Sequence, residues 1–145
     1  MPQIGQYPDT FYRVSLKAFI RNKEGKVLVC KEGTQTFWSL PGGGWDHGET
    51  EDVSLKRELY EELGYTGEVS YHPIATRVFY LPSHDAQLLW VVYDVTVDHD
   101  ITTLGEHGTD VAYVDPEEFK DSEYGTDEQA QAAIYEINKS YSAKL

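Results

Sequence analysis

Apolar and polar positions alternate along the first part of the chain. Between Phe11 and Arg21, Tyr12, Val14, Leu16, Ala18 and Ile20 alternate with Arg13, Ser15 and Lys17, the period-two pattern of a half-buried strand. Asn22-Lys23-Glu24-Gly25 is turn chemistry, and Lys26 to Cys30 is expected to return as the hairpin partner. Trp38 to Leu40 reads as a short strand feeding a glycine loop, Pro41-Gly42-Gly43-Gly44. Further on, Glu68 to Ala75 and Thr76 to Leu81 read as two strands, or as one bent strand with Pro73 at an edge or bulge. Pro82 to Asp85 is a loop. Gln87 to Val97 is apolar on both faces, which predicts a central strand. A polar loop from Asp98 to Asp110 leads to a strand at Val111–Val114 and one helical turn at Pro116–Phe119. Thr126 or Asp127 caps a final helix with Ala130, Ala133, Ile134, Ile137 and Tyr141 on one face. Residues 1–10 are a polar arm.

The period changes between Glu51 and Leu63. This stretch has no Gly or Pro and is rich in Leu, Glu, Lys and Arg, all good helix formers. Thr50 is the expected N-cap, Glu51 and Asp52 fall in the first turn where the helix dipole favours anions, and Gly64 is the stop. Leu55, Leu59 and Leu63 form a packing stripe. Beside it, Glu58 and Glu62 project about 40° apart and Glu61 about 60° to the other side of Glu58. Glu51 projects onto the same arc two turns earlier. Glu58 and Glu62 are a like-charge i, i+4 pair, mildly destabilising on a bare helix. Carboxylates clustered this way, with oxygen ligands only, suit a hard cation, Mg²⁺ or Mn²⁺, better than zinc. The alternative is a solvated acidic face. Gly42, Gly43 and Gly44 can turn tightly and approach a ligand closely, offering carbonyls to a metal or N–H groups to a phosphate.

Composition narrows the classes. The chain has 145 residues, the size of one domain, 1–145, and a net charge of −13. That charge speaks against non-specific binding of a nucleic acid polymer, which needs a basic surface. It does not exclude a nucleotide, because a bound divalent metal reverses the local sign. Cys30 is the single cysteine, so no intrachain disulfide can form. The first ten residues lack the basic and apolar parts of a signal peptide, and the longest apolar run, Leu88 to Tyr93, is too short to span a bilayer. The expectation is a cytoplasmic protein with no membrane partner.

Gly43, five residues, Glu49, seven residues, Arg57-Glu58-Leu59, one residue, Glu61-Glu62, one residue, Gly64 and Tyr65 together resemble the signature box of the MutT-like Nudix hydrolases. Every fixed spacing matches, and the soft departure is Tyr65, where the family usually has an aliphatic residue. The resemblance implies an α/β/α sandwich around a mixed sheet. It implies an enzyme that uses Mg²⁺, with Mn²⁺ as substitute, to hydrolyse a phosphoanhydride bond in a nucleoside diphosphate linked to a further group X. Such substrates include nucleoside triphosphates, dinucleoside polyphosphates and sugar nucleotides. Carried over residue by residue, Glu58, Glu61 and Glu62 are metal-binding and catalytic, the backbone at Gly42–Gly43 supplies a carbonyl ligand, assigned here to Gly43, and Arg57 with Glu49 supports the site structurally. Glu58 also helps activate water. Glu106, in the polar loop, is by position a candidate extra ligand or base, with Asp110 as its rival; the alternative is an ordinary loop acid. Gly42, Gly43 and Gly44 are expected against the substrate; His47 reads better as a surface histidine than as a phosphate contact. Phe37, Trp38, Tyr80 and Trp90 are aromatics that could stack on a base, although aromatics on strands are more often core. Tyr80 and Pro82 both fall where family branches carry competing substrate marks. Homodimers are common in the family. The competing reading is a catalytically weak Nudix-fold module that binds or senses a nucleotide.

Overall fold

The structure is a computed structural model that describes residues 11–81, 85–119 and 128–142. The polar arm, Pro82 and the two candidate caps of the last helix lie outside the described residues. Among the described residues, six strands and three helices follow one another: β1 Tyr12–Phe19, β2 Val27–Glu32, β3 Gly42–Gly44, α1 Glu51–Leu63, β4 Val69–Leu81, β5 Ala86–Val97, β6 Gly108–Val114, α2 Pro116–Phe119 and α3 Glu128–Ser142.

The main sheet has the order β3-β1-β5-β4. β1 runs parallel to β5, while β3 and β4 are antiparallel to their neighbours, so the sheet is mixed as expected. β5, apolar on both faces, is an inner strand. β4 is one strand with a register shift between Pro73 and Ala75, where a residue without an N–H is tolerated at an edge.

Two expectations about the strands are corrected. β2 is not the ladder partner of β1. Only an isolated bridge, Arg21 with Val27, follows the turn, and β2 pairs antiparallel with β6 in a second, two-stranded sheet. The reason is occupancy: both edges of β1 are already taken, by β3 and β5. Trp38–Leu40 is not a strand either. Ser39 makes one bridge to Cys30, and the strand is the glycine triplet itself, with Gly44, Gly43 and Gly42 opposite Ser15, Leu16 and Lys17. A side chain could not enter there. Gly42 has φ of 131°, and a Cβ on it would overlap the Leu16 carbonyl and come within 2.9 Å of Lys17 Cα.

Alternation divides the core in two. Leu16, Ala18, Leu28 and Cys30 point toward α1 and its stripe of Leu55, Leu59 and Leu63. Phe19, Val27, Val29, Trp90 and Val92 point the other way, toward Ala130, Ala133, Ile134 and Ile137 of α3. The sheets thus lie between α1 and α3, the α/β/α layering that buries both faces.

α1 forms as its sequence predicts. Thr50 Oγ1 accepts from Val53 N at 3.2 Å, and Gly64, at φ 68°, closes the last turn onto Leu59 O and Tyr60 O. Tyr65, where an aliphatic residue was expected, is buried, and its hydroxyl ties Glu68 O to Asp98. The following loop, 98–107, is fastened to the end of α1 by Gly105 N to Glu62 O at 2.9 Å and His107 N to Glu61 O at 2.8 Å.

Candidate active site

α1 carries two kinds of acid. Glu58 and Glu62 lie beside the leucine stripe and are buried, Glu62 to 1% exposure. One oxygen from each, together with one from Glu32, falls within 4.8 Å of the others. Glu61 is not in that group. It faces Arg57, whose Nη1 donates to Glu58 Oε1 at 3.0 Å and Glu61 Oε2 at 3.2 Å, and it lies 3.5 Å from His107 Nδ1. Glu51, projected onto the same arc, instead accepts from the Tyr93 hydroxyl.

Glu62 is held on several sides. Gly42 N donates to its Oε1 at 3.1 Å, and the Cys30 thiol donates to its Oε2 at 3.0 Å. Burial pushes its carboxyl up to about 8; Glu58 and Glu32 add to the shift, and Lys17 opposes it. The Cys30 thiol is likewise pushed up by burial and by Glu62. Glu32 is raised by burial too, with Lys17 opposing and Glu58 adding. Lys17 Nζ is itself bound to Leu40 O at 3.1 Å and Gly42 O at 3.2 Å.

Arg57 organises the opposite flank. Its Nε and Nη2 fork onto Glu49 Oε2 and Oε1 at 2.8 and 2.9 Å, and Nη2 reaches Gly44 O at 3.3 Å and Asp46 Oδ2 at 3.4 Å. Glu49 in turn accepts from Asp46 N and, through its carbonyl, from Trp45 Nε1. The fork is the bidentate geometry that arginine makes with carboxylates. It holds Glu49 below the usual carboxylate range and Arg57 above the usual guanidinium range. The 45–49 loop, helix α1 and strand β3 are thereby joined at one side chain.

Glu32 was not found from the sequence. The signal was there: Leu28 and Cys30 face α1, so the alternation of β2 carries Glu32 to the same side. The register shift between Lys31 and Glu32 obscures it. Glu106 is exposed on the 98–107 loop and, among the described residues, belongs to no group of three candidate metal ligands. Asp110 and His47 are exposed as well, and Asp110 Oδ1 accepts from Val111 N.

A cleft of about 300 Å³ opens beside the glycine strand. Gly42, Gly43, Gly44, Lys17 and Glu32 form its polar end; Phe37, Phe79, Leu88 and Trp90 are its apolar walls. Phe79 and Trp90 pack edge to face with centroids 4.7 Å apart. Of the four aromatics considered for stacking, Phe37 and Trp90 line the cleft. Trp38 is in the core beneath Lys31, and Tyr80 is outside the cleft, its hydroxyl donating to Asp85 at 2.6 Å.

The donor set fits a divalent cation. It consists of three carboxylates brought together under partial burial, two of them with raised proton affinity, and its one sulfur already donates to Glu62. Buried carboxylates this close must hold protons or a cation. Glu32, Glu58 and Glu62 would hold that ion. Gly43 packs against the cluster, since a Cβ there would come within 2.7 Å of Glu58 Oε1.

Among solved structures, the fold is similar to the MutT protein of Methanosarcina mazei Go1 (TM-score 0.74, 22% identity, 94% of this chain and 99% of that one). It is also similar to the E. coli dihydroneopterin triphosphate pyrophosphohydrolase (TM-score 0.71, 16% identity, 90% and 99%). Among curated proteins, the chain is 44% identical to the RNA pyrophosphohydrolase of Vibrio atlanticus over 55 residues, which are 38% of this chain and 32% of that protein. A homologue of the same name from Aeromonas hydrophila is 42% identical over 57 residues. The match thus spans about a third of the length of these relatives. No helix among the described residues is long and apolar enough to cross a membrane. The NUDIX domain model matches residues 11–136, and the chain belongs to the Nudix hydrolase family.

Proposed function

We propose that the protein hydrolyses a phosphoanhydride bond in a small nucleoside diphosphate derivative, with Mg²⁺ as cofactor and Mn²⁺ as its substitute. The observation that carries this reading is the Glu32–Glu58–Glu62 trio beside the glycine strand of the cleft. When bound there, the cation supplies charge neutralisation and Lewis-acid polarisation of the phosphoryl oxygens. The chain's own residues do the rest. Glu58, oriented by Arg57 Nη1, takes the proton of the attacking water. Glu62 is held in place by Gly42 N and the Cys30 thiol. Lys17 keeps the Gly42 carbonyl turned toward itself and balances Glu32 and Glu62. Phe37, Phe79, Leu88 and Trp90 exclude water from the far end and offer apolar faces to a base. Glu61, joined to the trio through Arg57, is a further carboxylate for the site. Glu106, on the loop bonded to the end of α1, stays the proposed extra carboxylate; full turnover by Glu106→Gln would remove it from the mechanism.

A panel of nucleoside triphosphates, dinucleoside polyphosphates, ADP-ribose and sugar nucleotides with Mg²⁺, scored for phosphate and pyrophosphate release, tests the proposal. No turnover of any member by folded, metal-binding protein would sink it. The name shared by the curated relatives favours a second reading, removal of pyrophosphate from a 5′-triphosphorylated RNA. The net charge of −13 opposes extended contact with an RNA backbone. Faster turnover of a 5′-triphosphorylated oligonucleotide than of the free triphosphate would select that reading.

A further inference from the structure

Two cations stand on the cleft face of β1. Arg13 and Lys17 are four residues apart with Ser15 between them, and all three line the cleft. Lys17 is committed: its three-donor ammonium binds two carbonyls and lies 5.3 Å from the centre of the Trp90 ring. Arg13 is exposed and has no ion-pair or hydrogen-bond partner among the described residues. In a chain with 25 acids and 12 bases, an arginine without a carboxylate is unexpected. Arg57 shows the contrast, since it engages four carboxylates on the other flank of the same glycine strand.

Gly44 explains where the Arg13 guanidinium goes. It is not one of the glycines with positive φ, so backbone conformation does not demand it. A Cβ on Gly44 would nevertheless collide with Arg13 Nη2 and come within 2.9 Å of its Cζ. The missing side chain is the space in which the guanidinium lies across β3. Its donors are thus left open beside the polar end of the cleft, on the Gly44 side of β3 rather than beside Gly42, where Lys17 sits. A guanidinium presents a planar fork that matches phosphate oxygens.

We propose that Arg13 binds a phosphate of the substrate beyond the two that flank the scissile bond. The cleft would then select nucleoside triphosphates and longer polyphosphates over diphosphate-linked sugars; this deepens, and rests on, the hydrolase reading above. Arg57 and Lys17 fasten the carboxylate trio and the glycine strand, and Arg13 is the uncommitted cation that meets the next anionic group. Gly44 is the residue that makes room for it.

The test compares kcat/KM for a nucleoside triphosphate and for the matching nucleoside diphosphate sugar in the unmodified protein, Arg13→Met, Arg13→Lys and Gly44→Ala. Binding of inorganic tripolyphosphate with Mg²⁺ is measured on the same proteins by calorimetry. Arg13→Met should lower kcat/KM for the triphosphate about 10- to 100-fold, through KM, the range of a charge-assisted hydrogen bond, and leave the sugar nucleotide nearly unchanged. Arg13→Lys should recover part of the loss as a point charge, and Gly44→Ala, whose methyl only shifts the end of a flexible side chain, should give a smaller loss in the same direction with the charge retained. Equal losses on both substrates, or none on either, would overturn the assignment. If the unmodified protein cleaves neither substrate, the hydrolase reading has failed, and tripolyphosphate decides about Arg13 alone. Binding weakened about tenfold or more by Arg13→Met supports the phosphate site, and unchanged binding overturns it.

Discussion

Arg57 and Glu62 leave the same helix little more than one turn apart, and their surroundings differ in one respect. Arg57 is met by Glu49, Asp46, Glu58, Glu61 and the Gly44 carbonyl, so its positive charge is fully answered. Glu62 is met by a thiol and one backbone N–H, and by the carboxylates of Glu58 and Glu32, with Lys17 as the nearest balancing charge. The first region is complete with the protein's own atoms. The second gathers more negative charge than its own groups neutralise, and burial makes the surplus costly unless protons or a cation join it. A run of acids along a helix thus has two meanings, and the three-dimensional partners of each acid separate them.

The largest effect should come from the incomplete side. Glu62→Gln keeps the shape of the side chain and removes its charge, and kcat for any substrate identified should fall by about 10²–10³, the scale of losing one preorganised electrostatic contact. Steady-state kinetics at saturating Mg²⁺ checks this. A smaller loss is expected from the complete side. Arg57→Met frees Glu49, Glu58 and Glu61 from their common partner without removing a trio carboxylate, and should weaken metal affinity about 10- to 100-fold, as loss of a supporting contact does. Equal effects of the two substitutions on metal affinity would erase the distinction between the two flanks.

The third effect is a pH dependence of stability without metal. The Glu62 carboxyl ordinarily titrates near 4.5 and is pushed up to about 8 in the folded protein. Between those values the folded state holds a proton that the unfolded state has lost. The stability that this carboxyl contributes is therefore greatest below this window and falls as pH rises through it, by at most about 1.4 kcal/mol per pH unit. Urea unfolding across that range in the presence of a chelator should show the slope, and Glu62→Gln should flatten it. The smallest effect should come from Cys30→Ala. The thiol's hydrogen bond lowers the Glu62 proton affinity, so its removal should move the upper end of that window upward by less than about one pH unit. No upward movement would show that the thiol donates elsewhere.

What the sequence allowed to be read follows the range of the forces involved. α1 was legible end to end because cap, propensity, leucine stripe and glycine stop all act within a few residues, and its bounds, Glu51–Leu63, agree with the structure. β5 was legible from its apolar faces. β2 was placed correctly as a strand but given the wrong partner, because pairing depends on which edges other strands already occupy. β3 was invisible as a strand: glycine is depleted from strands, and only the close approach to Leu16, Glu58 and Arg13 shows why it is used here. Within the site, the helical projection placed Glu58, Glu61 and Glu62 on one arc, but it could not show that Glu61 turns to Arg57 while Glu32 arrives from β2. The arrival of Glu32 depends on a long-range contact across a register shift.

Glu32, Glu58 and Glu62 are proposed to hold a divalent cation. Calorimetric titration of the protein with Mn²⁺ near pH 7, in buffers of different ionisation enthalpy, tests it most directly. One site should fill, releasing close to one proton, because Glu62 must give up its own. Glu32→Gln should weaken that site, and Glu62→Gln should both weaken it and abolish the proton release. Binding of equal strength in all three proteins, with no proton released by any of them, would contradict it.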